Sequence, residues 1–178
     1  MIGVLVSGTG TNLQALLDAG LPVVAVASNR RDAPALERAH SLATEAFELG
    51  DYADRSDRDA AMAAWLEHQG VRIVVLAGYM HLLTSAFLDR FPDAVVNVHP
   101  SLLPEFPGAH AVEDQLAAGV AEAGATVHLV DEGVDSGPIL AQERVAVLDG
   151  DTPETLHARI KEIEHRLLPR VVGELCAR

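Results

Sequence analysis

Cysteine, lysine and aromatic residues are scarce in this chain of 178 residues. Cys176 is the only cysteine, so no internal disulfide can form, and no Cys or His cluster stands beside it to suggest a zinc site. A reducing, cytoplasmic setting is expected. The first residues, Met1 to Ser7, form a short apolar run without the basic leader of an export signal, and no stretch reaches about 18 uninterrupted apolar residues. Neither secretion nor a membrane partner is expected. Positive charge is also short: 13 Lys and Arg stand against 26 Asp and Glu, a formal net charge of -13. Nucleic-acid binding as the main activity is not expected, because phosphate neutralisation needs a basic face. Lys161 is the only lysine, so any role for an ammonium has one candidate.

What remains is the balance of one globular domain spanning 1–178, with 49% apolar and 22% charged residues. A chain of this size can bury about 70% of its unfolded surface, enough for a core without metal or disulfide. Short β-branched runs alternate with alanine-rich amphipathic stretches, the pattern of parallel strands joined by helical crossovers. The class is α/β. Strands are expected at Ile2 to Ser7, Pro22 to Ser28, Arg72 to Ala77 and Ala94 to Val98, and helices at Thr11 to Ala19, Ala33 to Ser41, Arg58 to His68 and Thr84 to Arg90. Beyond Pro100 a Pro-containing segment leads to a helix at Ala111 to Ala118. Two strands follow, Thr126 to Val130 and Ile139 to Val145, expected to pair as an antiparallel extension of the sheet. Thr152 and Pro153 then open a long last helix.

Three motifs carry chemistry. Ser7-Gly-Thr-Gly-Thr-Asn-Leu13 follows the first strand, where glycines permit a tight turn and the next helix presents unpaired N–H groups, a cradle for phosphate. It lacks a third glycine and a Gly-Lys-Ser/Thr, so a monophosphate fits better than a dinucleotide; the bland alternative is a capped glycine turn. Asn97 and His99 share one face at the carboxyl end of their strand, where open α/β sheets bind ligands. An amide that donates to an oxyanion beside an imidazole that moves a proton suits acyl transfer. Asp131 to Pro138 holds three carboxylates in a turn, one of which could orient and charge an imidazole. The spacing lacks an EF-hand pattern, no His-x-x-x-His and no Gly-x-Ser-x-Gly occurs, and no metal is expected.

On these residues the sequence resembles the folate-dependent formyltransferases, and among them those that act on glycinamide ribonucleotide in purine synthesis. The resemblance runs in order through Ser7 to Gln14, Ser28-Asn29, Leu76 to Met80, Asn97 to Pro104, Asp131 to Pro138, and Glu164-His165 with Pro169. The Asn-x-His-Pro-Ser-Leu-Leu-Pro block belongs to formyl-handling folate enzymes in general, including formyltetrahydrofolate deformylase and methionyl-tRNA formyltransferase. Those relatives carry an added N-terminal regulatory domain or a C-terminal barrel with a basic surface; for this acidic chain neither is expected.

The resemblance implies a Rossmann-like, doubly wound, mostly parallel sheet, with a phosphate-binding half over about residues 1–95 and a folate-binding and catalytic half over about 96–178. It implies that Gly10, Thr11 and Asn12 hold the acceptor's phosphate and that Lys161, Glu162, Ile163 and Glu164 close over its ribose and glycinamide end. Folate would meet Met80, His81, Leu82, Leu83, Asn97, Asp131, Glu132, Gly133, Val134 and Asp135, with an arginine before the third helix, Arg58 in preference to Arg55. His81 stands where many relatives carry arginine. Asn97, His99 and Asp135 would be catalytic: the glycinamide amine attacks the formyl carbon of 10-formyltetrahydrofolate, Asn97 and His99 stabilise the tetrahedral oxygen, and Asp135 favours the imidazolium of His99. No metal takes part in this scheme. The partners are then the two small molecules, and a monomer and a homodimer are equally compatible. A deformylase-like hydrolase and a non-catalytic nucleotide-sensing module are the competing readings.

Overall fold

The structure, a computed structural model, describes residues 1–177. In chain order it runs β1 (Ile2–Val6), α1 (Thr11–Asp18), β2 (Val23–Ser28), α2 (Ala35–Arg38), β3 (Ala43–Ala46), α3 (Arg55–His68), β4 (Ile73–Leu76), α4 (Ser85–Leu88), β5 (Val95–His99), α5 (Ala111–Ala117), β6 (Glu122–Leu129), β7 (Ile139–Ala146) and α6 (Pro153–Cys176). A single 3-10 turn covers Leu49–Asp51. The seven strands form one sheet in the order β3-β2-β1-β4-β5-β6-β7. The first five run parallel, and β6 and β7 extend the sheet antiparallel, as the sequence pattern leads one to expect.

Alternation along β1 explains the two layers. Ile2, Val4 and Val6 join a core with Leu13, Leu16, Leu156, Ile160 and Leu167 from α1 and α6. Leu5 points the other way and meets Met62 and Leu66 of α3 and Phe87 of α4. The central strands β1, β2, β4 and β5 are thus buried on both faces, which is why their runs read as continuously apolar. Gly3 sits where an added Cβ would be 2.9 Å from Leu66 Cδ2, so α3 can press close to β1.

The structure departs from the sequence expectation in several element boundaries. β3 was not anticipated: Ala-Thr-Glu-Ala is neither apolar nor alternating, and pairing with β2 at a sheet edge makes it a strand. The third helix begins at Arg55 rather than Arg58, because the Asp54 side chain caps it by accepting from the Asp57 N–H at 2.9 Å. Its first turn is polar, so hydrophobic periodicity starts a turn late. The helix expected over Ala33 to Ser41 shrinks to α2. β6 begins at Glu122, four residues before the expected Thr126, since Ala123, Gly124 and Ala125 lack β-branched signal. Gly124 is needed there, because a Cβ would lie 2.2 Å from the Glu143 carbonyl oxygen and 2.6 Å from Leu102. The Thr152 N-cap of α6 is as expected, and its hydroxyl accepts from Thr155 N–H while Thr155 Oγ1 accepts from Thr152 N–H.

The chain leaves β1 toward one sheet edge and returns through β4 toward the other, so a crevice opens where the connections after β1 and β4 diverge. Ligands of open α/β sheets bind at such a point.

Candidate active site

That crevice is a pocket of about 440 Å³, within the usual range for small-molecule sites. Loops after β1, β4 and β5 line it, together with the loop before β7 and one face of α6.

At one end Gly10 holds a left-handed conformation (φ 73°) and starts α1 without a side-chain cap, so the opening N–H groups of the helix face the pocket region unpaired. Glycine is required there: a Cβ would lie 2.6 Å from that of Ala35. α2 braces the loop, with Ala35 N–H donating to Gly8 O at 3.0 Å and Arg38 Nε to Thr9 O at 2.6 Å. Asn12 Nδ2 donates to Glu164 Oε2 at 2.9 Å, while Asn12 Oδ1 is buried without a partner. Burial pushes the Glu164 carboxyl up, against the opposing effects of the Asn12 hydrogen bond and Lys161. Lys161 and Glu164 lie on the pocket wall one helical turn apart, joined by His157. Glu162 and Ile163 do not: Glu162 is exposed, and Ile163 is packed in the core. The helix period of 3.6 residues carries only one face of that segment to the crevice, which corrects the expectation for these two residues.

At the centre, Asn97 and His99 both reach the wall from β5. Asp135 Oδ2 lies 3.3 Å from His99 Nδ1 and accepts from Gly108 N–H at 2.8 Å; Oδ1 lies 3.4 Å from Asn97 Nδ2. The His99 Nε2 donates to the Phe106 carbonyl at 2.8 Å. An imidazole facing acceptors at both nitrogens can donate to both only when each carries a proton. The Phe106 carbonyl is set by Ser101, whose Oγ donates to Glu105 O and Phe106 O, and the Ser101 carbonyl in turn accepts from Thr126 Oγ1. Burial works to raise the Asp135 carboxyl, but contacts from His128, the Gly108 N–H and the charge of His99 outweigh it and hold it below the usual carboxylate range.

His128 is the residue that sequence reasoning missed. β6 pairs with β5 so that His128 stands opposite Asn97, and its Nε2 lies 3.2 Å from Asn97 Nδ2 and 3.5 Å from Asp135 Oδ1. Only the antiparallel register brings them together. The one sequence signal was the Thr126-x-His128 alternation, a polar pair on one face of a strand matching Asn97-x-His99.

At the other end Met80, Leu82 and Val134 are exposed on the rim, with His81, Leu83, Tyr79 and Gly133 beside them. The Tyr79 hydroxyl is buried without a partner, and burial raises its pKa to about 12. Asp131 and Glu132 are off the wall. Asp131 instead folds the loop, accepting from Gly133 N–H at 3.0 Å and Ser136 Oγ at 2.8 Å. Arg58 also departs from expectation. It is fully buried, forks onto Asp59, and reaches the pocket only through His81 Nδ1 at 2.5 Å. Arg55 is the exposed arginine, donating to the Leu82 carbonyl at 3.0 Å. Among the described residues no group of three or more His, Cys, Asp or Glu side chains is placed to hold a metal ion.

The model of the formyl transferase family matches residues 1–172. The chain belongs to that family. Phosphoribosylglycinamide formyltransferase of Mycobacterium tuberculosis (strain ATCC 25618 / H37Rv) is 49% identical, aligned over 97% of this chain and 83% of its own length. The trifunctional purine biosynthetic protein adenosine-3 of Gallus gallus is 42% identical over 94% of this chain and 18% of that protein. The crystal structure of glycinamide ribonucleotide transformylase 1 from Symbiobacterium toebii superposes with a TM-score of 0.94 at 47% identity, covering 96% of this chain and 84% of that one. The Rossmann-like, mostly parallel sheet is therefore a family property.

Proposed function

We propose that this formyl transferase moves the formyl group of 10-formyltetrahydrofolate to the amine of glycinamide ribonucleotide, in the cytoplasm. The observation that carries this reading is one continuous pocket with an anion cradle at Gly10 to Asn12, an Asn97-His99-Asp135 cluster at its centre and an apolar rim at Met80, Leu82 and Val134. The named relatives support the same reaction. A phosphorylated acceptor fits the cradle, and a flat, partly apolar donor fits the rim and the unpartnered Tyr79 hydroxyl.

The donor, when bound, supplies an activated one-carbon acyl group. Asn97 and the imidazolium of His99 stabilise the negative charge that develops on the formyl oxygen. His99 gives the departing nitrogen its proton, which requires Nε2 to leave the Phe106 carbonyl, and the proton lost by the attacking amine restores the imidazolium. Asp135 keeps that ring charged and, through Gly108, ties its own loop to the segment after β5. Holding acceptor and donor in one pocket supplies the entropic part of the acceleration.

The deciding assay follows 10-formyltetrahydrofolate consumption with and without glycinamide ribonucleotide. Turnover that requires the acceptor supports the transferase; equal turnover without it would make the protein a hydrolase, and ligand-induced thermal stabilisation without turnover a binding module. In the same assay Asn12→Ala is expected to raise KM for the ribonucleotide ~10-fold and leave that of the donor unchanged. Equal weakening of both substrates would show the loop to be scaffold only.

Asp135→Asn keeps size but deletes the charge 3.3 Å from His99. Its expected result is a lower rate whose alkaline fall-off moves to lower pH, because the imidazolium loses its counter-ion. A profile that only scales down, with its shape kept, would leave Asp135 a purely positional role.

A further inference from the structure

The connection between β4 and α4 carries His81 on the donor side of the pocket, in a setting that decides its protonation. Its Nδ1 faces Arg58 NH1 at 2.5 Å, and its Nε2 lies 3.2 Å from the side-chain nitrogen of Asn29. Arg58 can only donate, so Nδ1 has to be the lone-pair nitrogen. The Asn29 amide oxygen accepts from Ser7 Oγ and its nitrogen faces Nε2, so a ring proton on Nε2 requires the amide to turn over and present its oxygen to His81. Ser7 Oγ, 2.6 Å from the Asn29 amide oxygen, accepts from Met80 N–H at 2.9 Å. The network thus runs from the root of the phosphate loop to the donor wall.

Behind it, Arg58 and Asp59 are both fully buried, and Asp59 Oδ2 accepts from the N–H and hydroxyl of Thr84, the residue that immediately precedes α4. His81 is therefore held between Asn29, just beyond β2, and Arg58 of α3.

We propose that Arg58 is a positioning residue for the donor site, holding His81 as a neutral imidazole protonated at Nε2, so that this chain presents an uncharged wall after Met80. The proposal rests on the donor reading of the pocket given above. Tyr79, whose ring meets that of His81 edge-on with centroids 5.9 Å apart, completes a neutral aromatic wall. The Arg58 cation is withdrawn behind this wall and neutralised by Asp59.

The groups that face His81 are Arg58, Arg55 and Asp59 of α3, the Asn29 amide and Tyr79. Burial comes first in lowering its pKa, followed by Arg58 and Arg55, with Asp59 opposing. A histidine with a depressed folded-state pKa stabilises the fold fully above its ordinary midpoint. That contribution is lost as pH falls from there through the folded value.

The test is nitrogen NMR of the imidazole rings in the free protein, with the His81 signal assigned by His81→Gln. The expected spectrum shows Nδ1 unprotonated and Nε2 protonated, holding below the ordinary histidine midpoint of about 6.5. Arg58→Lys keeps a charge for Asp59 but cannot fork to His81 as well. In that variant the tautomer becomes mixed, and the donor KM is expected to rise ~10-fold and to vary with pH below about 7, while kcat at saturation and the acceptor KM stay unchanged. Wild-type protein with its proton on Nδ1, or with His81 titrating at the ordinary value, overturns the proposal without any variant. So does Arg58→Lys with an unchanged donor KM. If the protein fails to turn over 10-formyltetrahydrofolate at all, the donor reading fails and the role of Arg58 at a donor site falls with it, whereas the ring spectrum still reports whether Arg58 fixes His81.

Discussion

Replacing His99 with alanine is expected to lower kcat by at least ~100-fold with KM for both substrates little changed, because the lost group acts on charge that develops during reaction rather than on ground-state binding. Asn97→Ala should fall in the same range. The two are not independent: both side chains face Asp135, at 3.3 Å and 3.4 Å, so removing either also disturbs the carboxylate serving the other. The double variant should therefore lose far less than the product of the two single losses. Steady-state kinetics on proteins whose thermal unfolding matches wild type checks this. Near-normal turnover in both single variants would remove the centre of the mechanism, and strictly multiplicative losses would show that they act separately. His128, on the strand opposite Asn97, should not match either loss, since its Nδ1 faces the Leu129 carbonyl and it is absent from the pocket wall.

The largest effect on stability is expected at Asp59. Its side chain is fully buried, pairs with Arg58 and holds Thr84 just ahead of α4, so Asp59→Ala leaves a buried guanidinium without its counter-ion. Breaking a buried pair from one side costs about 3–5 kcal/mol, and in a chain of this size that corresponds to a fall in Tm of roughly 10 °C. Replacing both partners by apolar side chains, Arg58→Met with Asp59→Leu, should be more stable than Asp59→Ala, because no charge is then stranded. The deficit that remains would belong to the Thr84 N–H, which loses its acceptor. Urea unfolding of the variants measures both. A double variant no more stable than Asp59→Ala would mean that packing around the pair, and not its charge, sets the cost. Together the pair and His81 place a stability determinant directly behind the donor wall.

Much of the site was written in short segments. The Gly10 turn, the Asn97-x-His99 alternation and the Thr152 cap each involve residues only a few positions apart, where steric limits on glycine, the period of two in a strand and the geometry of a helix end act on neighbours. The loop that brings Asp135 to His99 was legible as an acidic turn between two strands, though the turn itself did not say which carboxylate faces inward. Asp131 bends the loop, and Asp135, at φ 52°, turns toward β5. Tertiary structure decided the rest. His128 joins Asn97 because of the register between two strands about 30 residues apart, and a one-residue slip would send it to the other face. Glu164 meets Asn12 across the fold, 152 positions away in sequence, because α6 packs against α1. Arg58 was expected at the folate pocket, but Asp59 makes its burial tolerable and His81 stands between it and the crevice. Local sequence settles what backbone strain and periodicity can settle; pairing register and the burial of charge depend on partners that only the folded chain brings within reach.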